Sequence, residues 1–340
     1  MKGRGCDNSW LGTRTVTALI GILCTGLLVA LSQQGRASGY ADPTTSPEGT
    51  PSYMPLAMKS VPTPTPVGGG RIAFESNRVR PGIFEIYSMN SDGSDQRRLT
   101  HLGGYSRDPS WSPDYTRIVF DSGPQDDDDG REIYVMNADG SGITRLTNNG
   151  VKDWDPSWSP DGSHIAYVSY DRNWEIFSMN TSGYGRVNLT NRPGRDWDPC
   201  WSPDGTKIAF SSEYGGSDFH IWVMNADGSG QTQLTFGTSV DNTDPSWSPD
   251  GTRIAFESNR DGDIEIWVMN ADGSGPRNLT NNASSDVDPS WMVGAERVVF
   301  GSYRSGNGEI YIINSDGSGV QQLTYHPMTD GDACARPGCP

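Results

Sequence analysis

Short apolar runs separated by turn residues recur along the chain from Arg71 onward. The clearest unit, residues 244–280, reads DPSWSPDGTRIAFESNRDGDIEIWVMNADGSGPRNLT. We name its four runs strands a to d: DPSW, RIAFES, EIWVMN and the segment that ends in Leu-Thr. Runs of this length, rich in β-branched and aromatic residues and bounded by Pro-Asp-Gly and Asp-Gly, predict β-strands joined by tight turns.

Strand c of this unit is apolar on both sides. Ile266 and Val268 point to one face of the strand, whereas Trp267 and Met269 point to the other. Both faces must therefore be covered by neighbouring sheets. Strand d, which ends in Leu-Thr, is predicted to form a polar outer edge.

The first four residues of strand b recur six times. They read RIAF, RIVF, HIAY, KIAF, RIAF and RVVF and begin at residues 71, 117, 164, 207, 253 and 297. The spacing between successive copies is 43 to 47 residues. Four-stranded antiparallel units repeated at this interval pack radially. We therefore predict an all-β fold, a six-bladed β-propeller of four-stranded antiparallel blades.

The two ends of the repeat region are complementary. The first copy begins at strand b and lacks a preceding DPSW, whereas the chain continues beyond the sixth Leu-Thr. Asp332 follows Thr324 by eight residues, as Asp288 follows Thr280. The C-terminal segment is therefore predicted to supply the inner strand of blade 1. Ala335 stands where the other copies carry Trp, so we expect this strand to pack less well.

The chain upstream of the repeat has a different composition. Residues 1–32 contain an apolar run from Val16 to Leu31 behind basic residues, which predicts a signal peptide or an N-terminal membrane anchor; Ala30 and Ser32 favour cleavage. Residues 33–70 are rich in Pro, Thr and Gly and predict a disordered linker. The propeller is assigned to residues 71–335 and a C-terminal tail to residues 336–340. The predicted N-terminal segment implies that the chain is exported to the periplasm or the extracellular space.

The charge of the chain restricts its partners. The 340 residues carry a formal net charge of −16, and 34% of them are hydrophobic. An acidic protein is not attracted to nucleic acid or to anionic lipid, so we predict no nucleic-acid partner and membrane contact only through the N-terminal segment. Cations, basic proteins and neutral ligands remain as partners.

The motifs D-P-S-W-S-P-D-G, I-A-F, M-N-A-D-G-S-G and L-T resemble the propeller repeats of the TolB family, loosely called WD40-like. The resemblance covers residues 71–335. It implies the propeller architecture, whereas related repeats serve several functions, in TolB, in prolyl peptidases, in tricorn proteases and in lyase-like proteins. TolB carries an α/β domain before its propeller. We expect none here, because about 38 residues separate the predicted signal from the repeat.

An aspartate precedes strand a in all six copies: Asp108, Asp155, Asp198, Asp244, Asp288 and Asp332. Equivalent positions of a radial repeat lie at one height, so these carboxylates are predicted to form a ring at one channel mouth. The ring would bind a divalent cation such as Ca²⁺ or the basic groups of a protein partner. Alternatively, each Asp hydrogen-bonds the backbone of its own Asp-Pro turn. Further acids lie just before the ring positions: Asp153, Asp196, Asp286, Asp330 and, slightly offset, Asp241.

Aromatic and acidic residues near this mouth offer two weaker candidates. Trp154 and Trp197 directly precede ring aspartates and could stack on a sugar or a cationic side chain, the alternative being packing within the loops. Asp126–Asp129 lengthen one loop between strands b and c. Four consecutive Asp lack the alternation of a calcium loop, so we predict a solvated loop.

The histidines and cysteines give no recognisable site. His101, His164, His220 and His326 have no partner at ligand spacing. By resemblance, His326 lies where lyase-like relatives carry histidine clusters. Cys200 replaces the Ser of PSW and is predicted to be small and buried, and Cys334 and Cys339 are close enough to form a disulfide in an oxidising compartment.

No catalytic motif such as G-x-S-x-G is present in the sequence. We therefore favour a monomeric, non-enzymatic scaffold in the cell envelope that binds an envelope protein, a basic peptide or a glycan at its acidic mouth. A second hypothesis is a polysaccharide lyase or hydrolase with a metal in the channel. A third is a purely structural module.

Overall fold

The computed structural model describes residues 70–124 and 130–335. The chain divides into two units, Met1–Val61 and Pro62–Pro340, and every described residue belongs to the second. The predicted signal, linker and tail, the Asp126–Asp129 loop and the Cys334–Cys339 pairing fall wholly or partly outside these ranges and stay predictions. No helix in the described ranges has the length and apolar content of a membrane span.

Twenty-four strands within these ranges form six four-stranded antiparallel sheets. Strands a are Tyr105–Trp111 (β4), Asp153–Trp158 (β8), Asp196–Trp201 (β12), Asn242–Trp247 (β16), Asp286–Trp291 (β20) and Asp330–Cys334 (β24). Strands b are Arg71–Arg80 (β1), Arg117–Gly123 (β5), His164–Tyr170 (β9), Lys207–Ser212 (β13), Arg253–Ser258 (β17) and Arg297–Ser302 (β21).

The outer half of each blade consists of a long strand c and a short strand d. Strands c are Ile83–Asn90 (β2), Glu132–Asn137 (β6), Trp174–Asn180 (β10), His220–Asn225 (β14), Glu265–Asn270 (β18) and Glu309–Asn314 (β22). Strands d are Arg97–Arg98 (β3), Thr144–Arg145 (β7), Val187–Asn188 (β11), Thr232–Gln233 (β15), Arg277–Asn278 (β19) and Gln321–Gln322 (β23). Each sheet has the order a-b-c-d, which confirms the predicted six-bladed propeller.

Blade 1 is composite, as the sequence predicts. Its strands β1, β2 and β3 come from the beginning of the repeat, and its strand a is β24 from the end. The pairing between β24 and β1 joins Cys334 to Ala73 and Asp330 to Ser76. The ring of blades is therefore closed within one sheet. Ala335 is fully buried although it is much smaller than Trp.

Apolar side chains fill each boundary between blades. The tryptophan that ends five of the six strands a packs against the preceding blade; Trp158 of blade 3, for example, joins a cluster that contains Val119 and Ile133 of blade 2. The same boundary is tied by Ser110, whose Oγ accepts a hydrogen bond from the Trp158 backbone N–H at 3.4 Å. The predicted packing role of the PSW tryptophans is confirmed. Cys200 is likewise fully buried.

Strand d lies at the outer edge of every blade with its two residues exposed or half-buried, so the predicted outer edge is confirmed, but the Leu-Thr pair is not part of it. Each strand d ends before its Leu-Thr pair, and Leu99 and Thr100 of blade 1 are both buried. The Thr100 hydroxyl donates to the Glu85 carboxylate and accepts from the Ile86 N–H at 2.9 Å. A hydroxyl that can donate and accept at once satisfies two buried groups, which explains a threonine at this position.

The turns between strands c and d approach the preceding blade closely. Gly228 has φ +85° and lies against the Leu189 carbonyl of blade 3; a Cβ on Gly228 would be 2.4 Å from that oxygen. Only glycine allows both this backbone conformation and this approach.

Replacing Gly228 with alanine tests the approach. Gly215, in a loop with φ +87°, has open space around a Cβ and is the matched control. We expect Gly215→Ala to cost about 1 kcal/mol through its backbone alone and Gly228→Ala to cost at least about 2 kcal/mol more through the clash. Chemical denaturation of both variants measures the difference. Equal losses would contradict the close packing of the blades.

Candidate functional site

All six ring aspartates adopt the left-handed backbone conformation. Their φ values lie between 41° and 54° for Asp108, Asp155, Asp198, Asp244, Asp288 and Asp332. In blade 3, Trp154 pairs with Val168 and Ser157 pairs with Ala166, so two residues of β8 face one residue of β9. This is a β-bulge whose extra residues are the Asp-Pro pair, and proline suits it because it has no N–H to donate to the ladder.

The bulge directs each carboxylate toward the channel axis. A cavity of about 40 Å³ is lined by all six aspartates together with Pro245 and Pro289. This volume is enough for a single metal ion or for a few water molecules. A non-glycine residue at positive φ costs about 1–3 kcal/mol, so six such residues around one cavity are strained together. The structure thus brings the six predicted site residues to one place, which we call the acidic ring.

Three further acids on strands b face the ring and were missed by the sequence reasoning. Glu75, Asp121 and Glu257 occupy the fifth position of their strands, where other copies have Val168, Ser211 and Gly301. Three groups of carboxylates have oxygens within 4.8 Å of one another: Glu75 with Asp108 and Asp332, Asp108 with Asp121 and Asp155, and Asp244 with Glu257 and Asp288. The sequence feature that could have revealed these acids is the acidic residue at the fifth position of strand b in three of the six copies.

Arginines compensate the acids on one side of the ring. Arg131 donates two hydrogen bonds to the Asp121 carboxylate, at 3.1 and 2.8 Å, and one to Asp108 at 3.2 Å. The Arg107 Nε lies 3.9 Å from Glu75 Oε2. Both arginines belong to blade 2, so the described basic contacts of the ring are concentrated at blades 1 and 2.

Neutral donors contact the acids on the other side. Asp198 Oδ2 accepts a hydrogen bond from Ser211 Oγ at 2.7 Å and lies 3.3 Å from the Asp244 backbone nitrogen. Glu257 Oε1 accepts from the Asp288 N–H at 2.7 Å. The backbone amides in these contacts belong to the following blade, so the acids connect neighbouring blades. The alternative that each Asp caps its own turn does not describe these two contacts.

Burial raises the pKa of most carboxyls in the ring. The pKa of Asp155 lies well above its ordinary value because of burial and of the neighbouring Asp108 and Asp198 carboxylates. Burial likewise raises the pKa of Asp198 to about 6, against a hydrogen bond from Ser211 that lowers it, and that of Glu257 to about 7. For Asp108 burial is outweighed by Arg131 and by hydrogen bonds, and its pKa is lowered.

Several carboxyls of the ring contact one another directly. Asp332 is within hydrogen-bonding range of Glu75 and Asp288, and Asp108 is within that range of Asp121 and Asp155. Two carboxyl oxygens at this separation need a shared proton or a shared cation between them. The same contacts can therefore hold either protons or a metal ion.

The acids two residues before the ring do not line the cavity. Asp330 is buried and accepts a hydrogen bond from Arg78 at 2.6 Å, and Asp286 pairs with Arg304 at 2.8 Å. Asp196 pairs with Arg192, and Asp153 accepts from Asn149. In blade 5 the equivalent residue is Asn242, whereas the offset Asp241 accepts from the Phe219 N–H.

The two mouth tryptophans use their ring faces within the protein. Trp154 stacks on Trp174 with the ring centroids 4.3 Å apart, and the Arg131 guanidinium lies 5.1 Å from the Trp154 ring. Trp197 stacks on Phe219 at 4.7 Å, and Arg195 lies 5.0 Å from it. These contacts match the packing alternative and leave stacking on a ligand as a prediction. The histidines join none of the carboxylate groups found in the described ranges.

Comparisons with known proteins agree with the fold. The sequence profile of the TolB beta propeller domain family matches residues 57–168 and 238–337. An uncharacterized protein from Agrobacterium fabrum is 35% identical over 109 residues, which are 30% of this chain and 34% of that protein. The chain thus spans about a third of the length of this curated relative.

Solved structures share the architecture at low identity. The structure of TolB from Acinetobacter baumannii has a TM-score of 0.68 at 23% identity and covers 79% of this chain and 67% of its own. Hydrazine synthase from Kuenenia stuttgartiensis has a TM-score of 0.64 at 16% identity and covers 78% of this chain and 46% of its own. At these identities the likeness concerns the fold.

The raised pKa values predict a pH-dependent stability. Asp198 and Glu257 bind protons up to about pH 6 and 7 when folded, whereas unfolded carboxyls lose them near pH 4. Folding is therefore favoured at low pH, and this contribution is lost as the pH rises through the folded values. With chelator present, we expect the free energy of unfolding to fall by about 2 kcal/mol or more between about pH 5 and about pH 8. A constant or rising melting temperature over this range would be the opposite result.

Proposed function

Because the chain belongs to the TolB beta propeller domain family, we propose that it is an exported, monomeric, non-enzymatic binding scaffold of the cell envelope. Its acidic ring receives a basic segment of a protein partner. The observation that carries this proposal is the cavity lined by one strained aspartate from each of the six blades. The apolar run within residues 1–32 supports export.

The charge balance of the mouth favours a cationic occupant. Eight of the nine acids, all except Asp198, belong to the three carboxylate groups, and in the described ranges Arg131 and Arg107 contact these groups at blades 1 and 2. A Lys or Arg side chain entering from solvent would find the Asp244, Glu257 and Asp288 group on the opposite side. There its charge replaces the protons that these buried carboxyls otherwise retain.

The conformational strain supports a binding role over a purely structural one. Each bulge could be built by glycine, which adopts positive φ without penalty, yet aspartate stands at all six positions. Strain retained at one cavity is typical of residues held for an interaction. The enzyme hypothesis has less support, since the carboxylate groups of the described ranges include no histidine and the sequence has no catalytic motif.

Capture from native envelope extract with the full chain as bait tests the proposal. The variant Asp155→Asn, Asp244→Asn, Asp288→Asn removes three ring carboxyls that could ionise against a cation, and asparagine tolerates positive φ. We expect this variant to capture at least about tenfold less of a partner protein that salt elutes from the wild type. The matched control, Asp139→Asn, Asp227→Asn, Asp272→Asn, removes three exposed turn charges and should capture normally. Equal capture by both triple variants would overturn the proposal.

A divalent cation, with Ca²⁺ as the prime candidate, is a second occupant that specific observations favour. Two oxygens bound to one Ca²⁺ at about 2.4 Å lie at most about 4.8 Å apart, which is the limit that the three carboxylate groups satisfy. Glu75 is 4% exposed, and its Oε2 has no hydrogen-bond donor among the described residues. A buried oxygen without a donor, next to Asp108 and Asp332, fits a metal ligand.

Calorimetry with Ca²⁺ distinguishes this occupant. Because the ion would displace shared protons, we expect saturable binding whose heat depends on the ionisation enthalpy of the buffer. Glu75→Gln should weaken binding by about tenfold or more, and the triple turn variant should bind as the wild type does. Absence of both heat and a shift in melting temperature would exclude the ion and leave the basic partner as the occupant.

A further inference from the structure

A second cavity lies between blades 3 and 4, at the opposite ends of their strands a from the acidic ring. Its volume is about 470 Å³, within the range of small-ligand sites. We call it the blade 3/4 groove. On the blade 3 side it is lined by Asp161, His164 and Ser178, and on the blade 4 side by Trp201 and Asp204. None of the three carboxylate groups of the acidic ring contributes to it.

At other blade boundaries an arginine occupies the corresponding place. The first residue of strand b in blade 2 is Arg117, whose guanidinium lies 4.8 Å from the ring centroid of Trp158 in blade 3. In the same way Arg253 of blade 5 lies 4.5 Å from the ring of Trp291 in blade 6. These are cation–π contacts across the boundary, made by a residue of the chain itself.

Blade 1 shows a second partner for such an arginine. Arg71 also begins a strand b, and its Nη2 donates a hydrogen bond to Ser88 Oγ of strand c at 2.9 Å. Ser178 is the equivalent of Ser88 in blade 3, since Ala73 pairs with Ser88 and Ala166 pairs with Ser178. The other blades have larger apolar residues at this position: Val135, Val223, Val268 and Ile312.

Blade 3 combines the serine with a residue too short to reach it. His164 begins strand b where four other copies have arginine and one has lysine. Its Nδ1 lies 2.7 Å from Ser163 Oγ, in the adjacent turn. The groove thus corresponds to the space that a guanidinium group occupies at the boundaries that follow blades 2 and 5, and it keeps the tryptophan of those boundaries and the serine of blade 1.

From this correspondence we propose that the blade 3/4 groove binds a guanidinium group supplied from outside, an arginine side chain of a partner. The group stacks near Trp201 and donates to Ser178 Oγ. It also faces the Asp161 and Asp204 carboxylates, one on each wall. A planar guanidinium has donors enough for a hydroxyl and a carboxylate at once, which a lysine ammonium cannot match in the same plane.

The two wall carboxylates already serve the turns that hold them. Asp161 Oδ1 accepts from Ser159 Oγ at 2.6 Å, and Asp204 Oδ1 accepts from Ser202 Oγ at 2.6 Å. These hydrogen bonds fix the carboxylates at the groove without neutralising them. Asp161 also accepts from Ser163 on both of its oxygens, whereas Asp204 takes its contacts from Thr206 on the same Oδ1. A carboxylate has about four acceptor positions, so the capacity for an incoming donor lies mainly on Asp204 Oδ2. The site is therefore rigid before its ligand arrives.

The test is an NMR titration of the full chain with N-acetyl-argininamide as the probe. We expect saturable binding in the millimolar range, as for a single side chain, with shifts in residues of blades 3 and 4. The citrulline analogue has the same shape without the charge and should bind at least about tenfold more weakly. Equal binding of both probes, or no saturation, would overturn the proposal.

Variants that copy other blades locate the site without endangering the fold. His164→Arg places the guanidinium of blades 2 and 5 in the groove, and Ser178→Val copies blades 2, 4 and 5; each should abolish or weaken binding by at least about tenfold. Arg297→His is the control, because the adjacent residue of blade 1 is Ala335 and offers no aromatic ring. Unchanged binding to His164→Arg would show that the probe lies elsewhere and would refute the assignment.

Two further probes distinguish the sources of a guanidinium. Ethylguanidinium represents a free small molecule, and acetyl-Gly-Arg-Gly-amide represents a protein segment. Tighter binding of the peptide supports a protein partner, as proposed. Equal or tighter binding of ethylguanidinium contradicts the partner arginine and assigns the groove to a free guanidinium compound. Because no ring acid is altered, these results are independent of the capture experiment.

Discussion

Closure of the ring by β24 is the constraint on which the rest of the structure depends. It brings together residues 252 positions apart, through the Arg78–Asp330 ion pair and the hydrogen bond from the Thr329 N–H to Asn77. Joining such distant segments costs entropy, which the pairing with β1 and the contact of Ala335 with Ser290 must offset. Only a closed ring places Asp332 beside Asp108 and Asp288. The acidic ring is thus a product of topology as much as of sequence.

The blade boundaries stabilise the fold, whereas the channel acids are the groups proposed for binding. Tryptophans and apolar clusters at the boundaries supply burial, whereas the Asp-Pro bulges and the contacts between carboxyls oppose folding. A bound cation or a shared proton reduces the repulsion between the carboxyls and leaves the apolar packing at the blade boundaries unchanged. The protein can therefore hold an unfavourable arrangement at its axis because six well-packed boundaries surround it.

The architecture could be predicted from the sequence because the same pattern of strands and turns occurs six times. Spacing and turn residues predicted the blades, and the matching distance from Thr324 to Asp332 predicted closure. The sequence was insufficient where single copies depart from the repeat. Glu257 reaches the ring from strand b and Arg131 from the residue before strand c, and their contacts depend on the bulge, which shifts the register of strand a. A motif cannot report such a shift.

The Leu-Thr pairs illustrate a second limit of sequence reasoning. The pattern predicted that strand d includes them, whereas strand d ends before them and Thr100 is buried with its hydroxyl bonded to Glu85 on strand c. Likewise, alternation alone could not separate Asp153, which faces away from the axis, from Asp155, which lines it. In both places the direction of a side chain is set by tertiary contacts that local pattern does not contain.

The shortness of strands d affects how these molecules behave toward one another. A sheet edge with unpaired N–H and C=O groups is a template on which a second chain can add a strand. Here every outermost strand in the described ranges has two residues, and the inner edge strands a carry the aspartates that line the cavity at the axis. Too few backbone groups remain in line for intermolecular sheet extension, so copies at high concentration are protected from edge-to-edge aggregation.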